Sequence, residues 1–181
     1  LASGVSLRLH RAGFPVVMTD LPKPTAIRRT VCFSQAIRFG TTMVEDTEGV
    51  CCHTAREVKA ALDAEKIPVL PDETAKCKDW LHPDVLVDGI LAKKNLGTKM
   101  SDAPLVIALG PGFCAGRDCH AVIETMRGHT LGRVIWDGEP LPNKNIPGLI
   151  GGFAGERVLR APDTGMFHQL RDVGALVESG E

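Results

Sequence analysis

Tyrosine is absent from this chain, and aromatic residues together make up only 4% of it. Proteins that stack nucleobases need aromatic faces, so no base-stacking surface is expected. Neither sign of charge is in excess. The formal net charge is −1, and Arg28-Arg29 and Lys93-Lys94 are pairs, not patches. A nucleic-acid footprint requires a basic face, so nucleic acid is not an expected partner. No apolar run approaches the ~20 residues of a membrane span, and no charged-then-apolar leader opens the sequence, so no membrane partner is expected. The six cysteines include no C-x-x-C pair, and a chain of this length has no need of disulfide staples. Reduced thiols in a cytoplasmic protein are the expectation.

What is present suffices for a core: 44% of the 181 residues are hydrophobic, enough for one domain or one domain with part of another. Leu1, Val5, Leu9 and Ala12 recur at helical spacing and Gly13 supplies a stop. Pro15 to Thr19 then reads as a buried parallel strand with Asp20 at its end. Helix, glycine, strand, acid is the second half of a βαβ unit. In dinucleotide-binding folds such an acid bonds a ribose hydroxyl, while the phosphate-binding glycines precede the first helix. Those glycines, and the strand before them, would lie upstream of Leu1. Both ends read as cuts through a longer protein. The alternative for Asp20 is a solvated residue capping the turn before Leu21-Pro22.

Arg28 and Arg29 follow that proline turn, and their guanidinium forks suit phosphate or carboxylate, although a surface pair is the simpler alternative. Ser34 is expected to open a short helix to Phe39. Thr41 to His53 reads as a hairpin turning at Asp46 to Gly49. Cys51-Cys52-His53 and Cys119-His120 each lack a second ligand pair at metal-site spacing, so no metal site is expected. Thr54 and Glu57 form a capping-box pattern for a helix to about Lys66. Ile67 to Leu70, Val85 to Ala92 and Leu105 to Leu109 are further strands, and their alternation with helical stretches indicates a parallel α/β sheet. Asp88 inside the second of these needs a partner, or a strand end at Asp88-Gly89.

The most informative segment is Leu105 to Gly132. Its apolar run breaks into Gly110-Pro111-Gly112-Phe113, with Gly116 close behind. Glycines at a strand's carboxyl end let backbone N–H groups approach a ligand, and ligands of open α/β sheets sit at that edge. A tight turn between core elements is the alternative. Glu124, Arg127 and His129 then place an acid, an anion binder and a proton carrier within six residues. A buried Glu–Arg pair pinning a turn is the rival reading. Cys114 could act as a nucleophile or as a sulfur or selenium carrier, or pack as a small buried residue.

After Gly132 the character changes. Val134 to Glu139 contains an Asp-Gly turn signal consistent with a β-hairpin, and prolines and glycines are dense from Pro140 to Gly155. The segment from Arg157 onward resembles a half-turn of the barrel-sandwich fold of biotinyl and lipoyl carriers. It has no lysine to modify, so it is read as scaffold.

Three stretches carry a wider resemblance: ASGVSLRLHRAGFPVVMTDLPKPTAIRRTVCFSQAI, LVIALGPGFCAGRDCHAVIETMRGHTLGRVI and RVLRAPDTG. They resemble the selenium-dependent molybdenum hydroxylase system proteins, accessory proteins related in context to xanthine dehydrogenase maturation factors. The resemblance implies an upstream strand with a G-A-G-D turn, a further carboxyl-terminal portion, and a molybdenum hydroxylase as partner. Where such proteins show P-N-T-G-x-P-G this chain has Asn145, the non-glycine residue best suited to a left-handed turn position.

The expectation is therefore an α/β protein: a Rossmann-like domain over 1–132, lacking its first strand, and a β-rich, barrel-sandwich-like segment over 133–181. Asp20, Arg28, Arg29, Gly110, Gly112, Phe113 and Gly116 are the candidate ligand-binding residues. Glu124, Arg127 and His129 are the candidate catalytic ones. The ligand is open between NAD(P) and the dinucleotide form of the molybdopterin cofactor. The alternatives are an NAD(P)-dependent oxidoreductase and a non-catalytic scaffold. The sequence sets no oligomeric state.

Overall fold

The computed structural model describes residues 1–144, 148–165 and 167–180. The turn expected at Asn145 lies outside the described residues. The chain divides into two compact units, Leu1–Asn143 and Lys144–Glu181.

The first unit is α/β and holds two four-stranded sheets, ordered β1-β4-β3-β2 and β5-β6-β7-β8. Helix α1 (Ala2–Arg11) ends before Gly13, whose φ of 88° is open to glycine at little cost. Strand β1 (Met18–Asp20) begins later than the apolar run suggests, and Asp20 is its last residue. Helix α2 (Gln35–Phe39) follows Ser34, but Ser34 does not cap it. Its backbone is already helical, and its hydroxyl lies 2.8 Å from the Cys32 thiol.

The expected hairpin forms from β2 (Thr41–Val44) and β3 (Thr47–Cys51), with its turn earlier than anticipated, at Glu45 and Asp46. The reason is packing: Gly49 sits within β3, where a Cβ would stand 2.8 Å from the buried ring of Phe33. Helix α3 (Ala55–Asp63) has the full capping box, with Thr54 and Glu57 each bonding the other's backbone, and it buries Val58 and Ala61. Strand β4 (Ile67–Pro71) lies parallel to β1 and β3 as the most buried strand of this sheet. One core (Leu7, Phe33, Ala36, Val44, Ile67, Val69) fills one face and a second (Cys52, Val58, Ala61, Leu70, Cys77) the other.

After the short helix α4 (Lys78–Leu81), β5 (Val85–Asp88), β6 (Leu105–Leu109) and β7 (Ala121–Ile123) run parallel. Strand β5 stops at Asp88, so the acid stands at a strand end. The antiparallel partner of β8 (Val134–Ile135) is β7, upstream of it, and the Asp137-Gly138 step joins no second strand. Gly138 instead bridges to Ala115 with backbone bonds of 2.8 and 3.3 Å. Val106, Ala108, Phe113, Ala115, Cys119 and Val122 form this sheet's core. The described residues of the second unit contain an Ile150–Phe153 bridge and a 3-10 turn at Gly155–Arg157.

Candidate functional site

Parallel strands in register bring their carboxyl ends to one edge of each sheet. In the first sheet that edge carries Asp20, Asp72 and the Cys51-Cys52-His53 run; in the second it carries Asp88, Gly110 and Glu124. A cavity of about 170 Å³ lies between the end of β1 and the segment after β5. Its wall includes Asp20, Met18, Ser3 from the first turn of α1, Cys32 and Ser34, and Gly89 to Leu91. Asp20 is half-buried, and one carboxylate oxygen accepts the Leu21 N–H at 2.7 Å. Ser3, Cys32 and Ser34 were not anticipated as site residues. They form a small polar chain in which the Ser3 hydroxyl also accepts the Phe33 N–H. No spacing rule in the sequence joins positions 3 and 32.

The segment after β5 is tied down by side-chain hydrogen bonds. Buried Asp88 accepts the Ile90 N–H at 3.1 Å and the Thr98 hydroxyl at 2.6 Å. Asn95 closes an Asx turn on Gly97 and Thr98. Between these anchors Leu91 (φ 58°) and Lys93 (φ 63°) occupy left-handed backbone, which is unfavourable for both residue types. The Asn95-x-Gly97-Thr98 pattern is the sequence signal that marks this turn.

The glycine loop supports that segment directly. A Cβ on Gly110 would meet Thr125 Oγ1 at 2.5 Å and the Leu91 side chain at 3.2 Å. One on Gly112 would lie 2.5 Å from the Lys94 backbone. Phe113 is a core side chain, 3% exposed. The Gly116 N–H donates to the Cys119 carbonyl, and Cys114 N–H to Asp118. Gly112 therefore gives room to the protein's own backbone and Gly110 to the side chains of Thr125 and Leu91, and of these neighbours Leu91 lines the cavity.

Glu124 is 3% exposed, and its oxygens accept the N–H groups of Met126 (2.7 Å) and Leu141 (2.8 Å). Burial alone would raise its pKa. The N–H groups of Leu141, Met126 and Thr125 outweigh burial and hold it below the ordinary glutamate value. This is a buried carboxylate each of whose oxygens is bonded to a backbone N–H. Arg127 and His129 lie exposed on the following turn, and Glu124 bonds neither. Arg28 is exposed and Arg29 half-buried, next to the residues Cys32 and Ser34 that line the cavity but not themselves in its wall. Of the ten candidate residues, Asp20 alone lines the cavity.

The thiols are free. Burial raises the pKa of Cys51, Cys52, Cys77 and Cys119, and for Cys77 burial and its bond to Asp72 push it to about 12. These four are not activated nucleophiles. Cys51 Sγ stands 3.5 Å from His53 Nε2. Among the described residues no cluster of three or more His, Cys, Asp or Glu is arranged to hold a metal, and no helix is long and apolar enough to cross a membrane. A second, shallow hollow of about 390 Å³ lies by the Lys78–Asp102 ion pair.

No family model matches the chain, and no solved structure matches it. A curated relative from Escherichia coli (strain K12), described as uncharacterized protein YqeB, is 47% identical over all 181 residues. The chain spans about a third (34%) of that relative's length.

Proposed function

We propose that this chain is the nucleotide-binding part of a cytoplasmic accessory protein that matures selenium-dependent molybdenum hydroxylases. Its sheets would form a Rossmann-like domain, with a carboxyl-terminal portion akin to a barrel-sandwich. The ligand is a dinucleotide, either NAD(P) or the nucleotide form of the molybdopterin cofactor. One observation carries the binding reading: a cavity at the carboxyl edge, walled by the first turn of α1 and by Asp20 at the end of β1. A helix amino end favours phosphate, and an acid at the end of the next strand suits a ribose hydroxyl. Arg28 and Arg29 precede the cavity-lining Cys32 in the chain, and their guanidinium forks suit an anionic group. The pathway rests on the resemblance of the quoted motifs.

The geometry favours binding over catalysis. Glu124 is occupied by backbone donors, so Glu124, Arg127 and His129 do not make an acid–base group as they stand. Thermal-shift titration of the full-length gene product with NAD, NADP and cytidine nucleotides tests this reading. A true ligand at a hundredfold excess over its Kd stabilises by about 2.7 kcal/mol. Asp20→Ala should weaken that ligand about tenfold. No stabilisation by any of them overturns the nucleotide assignment. Unimpaired hydroxylase activity in cells lacking the gene overturns the maturation role.

A further inference from the structure

We infer that Cys32 is a reactive thiol of the cavity and takes up half of a small amine-bearing disulfide, such as cystamine, as a mixed disulfide. Four polar side chains reach this hollow from three separate stretches of chain: Ser3 in α1, Asp20 at the end of β1, and Cys32 and Ser34 just before α2. Met18, Val69, Ile90 and Leu91 supply the apolar part of the wall. A few polar groups converging in a concave, otherwise apolar wall mark a place for a small molecule. Ser3 and Ser34 are 7% and 2% exposed, so neither hydroxyl is placed to meet bulk water. Both are bonded to the sulfur instead: Ser34 Oγ lies 2.8 Å from Cys32 Sγ, and the Ser3 hydroxyl donates to it at 3.7 Å. Ser3 Oγ already accepts the Phe33 N–H, which leaves its own hydrogen for the sulfur.

Hydroxyl hydrogens directed at a sulfur favour the ionised form that attacks, and so does the amino end of a helix, here the first turn of α1. Cys32 is half-buried and opens on the cavity. Cys114, also half-buried, stands in the glycine loop and is not in the cavity wall. Asp20 selects the partner. It is the one charged side chain in the wall, and its second oxygen has no bond among the described residues, so a positive group beside the reacting sulfur finds its counter-ion there. In the step itself the Cys32 thiolate attacks one sulfur of the disulfide. An Sγ–S bond forms as the S–S bond breaks, and the electron pair leaves on the departing thiolate, which takes up the proton that Cys32 released. The disulfide is the oxidant, and one equivalent of free aminothiol is the reduced product. The adduct occupies the hollow of about 170 Å³ beside Asp20 and excludes a nucleotide from it. Only that exclusion rests on the proposed function; the reaction at Cys32 does not.

The test exposes the full-length gene product to excess cystamine, quenches with acid at intervals, and maps each thiol by peptide mass spectrometry. Cys32 should carry the adduct about tenfold faster than Cys51 or Cys114, the other half-buried thiols, and release it on reduction. Ser34→Ala and Ser3→Ala should each slow Cys32 several-fold, while an unchanged rate at Cys114 shows that the fold is intact. Asp20→Asn should erase the preference of Cys32 for cystamine over glutathione disulfide, which is anionic. Equal rates at Cys32 and Cys114, or a Cys32 rate that neither serine variant moves, overturns the reactive thiol. A preference for cystamine that survives Asp20→Asn overturns the choice of an amine-bearing disulfide. Adding NAD, NADP or a cytidine nucleotide separates the two readings of the cavity. Fast reaction at Cys32 with no protection by any of them keeps the thiol and removes the nucleotide; protection with no selectivity for Cys32 over Cys114 does the reverse.

Discussion

Asp88 and Glu124 stand at the carboxyl edge of the second sheet, each buried and each with both oxygens bonded to its succeeding loop or the segment packed on it. Asp20 stands at the same edge of the first sheet, half-buried, with one oxygen bonded among the described residues and a cavity beside it. All three are acids ending a parallel strand. The difference lies in the path of the chain beyond each acid. After β5 and β7 the chain folds back over the strand end and uses the carboxylate to hold itself. After β1 it leaves through Leu21-Pro22 and Pro24, whose prolines have no N–H to offer. An acid bonded by the chain around it is a structural anchor; an acid left beside a hollow is the one the proposed function assigns to a ligand.

The sharpest way to break that contrast is Glu124→Ala. It leaves the N–H groups of Met126 and Leu141 without their acceptor, which should cost about 3–4 kcal/mol in chemical denaturation. The same anchor sets a pH dependence. The folded pKa of Glu124 is depressed, so its contribution is fully present above the unfolded glutamate value of about 4.3 and is lost as pH falls through the lower folded value. Acid titration of the wild type should show this loss below about pH 4, and Glu124→Ala should flatten the curve there. Equal slopes in the two proteins would show that Glu124 is not the anchor described.

Gly112→Ala should come next. Its Cβ would press on the Lys94 backbone at 2.5 Å while φ stays at +106°, and two segments must move apart at about 2–3 kcal/mol. Gly116→Ala is the control: its nearest neighbour would be 3.7 Å away, so only the positive φ matters, at about 1 kcal/mol. Equal losses at the two sites would mean that Gly112 is needed for its backbone angle and not for contact with Lys94. Thr98→Val should cost about 1–2 kcal/mol by stripping one partner from buried Asp88. Amides of the 89–98 segment should then exchange faster while those of β6 do not.

Much of this frame was legible in the residues. The Leu105–Leu109 run maps onto β6 without adjustment, because five apolar residues bounded by a proline and a glycine leave the strand no other register. Thr54 and Glu57 announce α3 because the capping box is a local bond pattern. The site was less legible. Gly110 and Gly112 mark a close approach, which sequence can signal, but what approaches is Thr125 and the Leu91–Lys94 segment, more than ten positions away in sequence. The hairpin turns at Glu45 and Asp46 and not at Asp46 to Gly49, because Gly49 answers to Phe33, sixteen positions earlier, and not to the local turn. Glu124 reads as a reactive acid beside Arg127 and His129 until Leu141, seventeen positions on, is seen to bond it. Local patterns set elements; the roles of polar groups are set by contacts between them.

Asp20→Asn should have the smallest effect on stability and is the most discriminating change. Asparagine keeps the side-chain oxygen that accepts the Leu21 N–H, so the turn out of β1 survives and stability should stay within about 0.5 kcal/mol of wild type. What asparagine lacks is a second acceptor and a negative charge facing the cavity. If Asp20 were an anchor like Asp88, unfolding would report the change and ligand titration would not. If it is the open acid of the first sheet, unfolding stays silent and dinucleotide-induced stabilisation falls. A loss in denaturation comparable to that of Glu124→Ala would remove the distinction between the two edges.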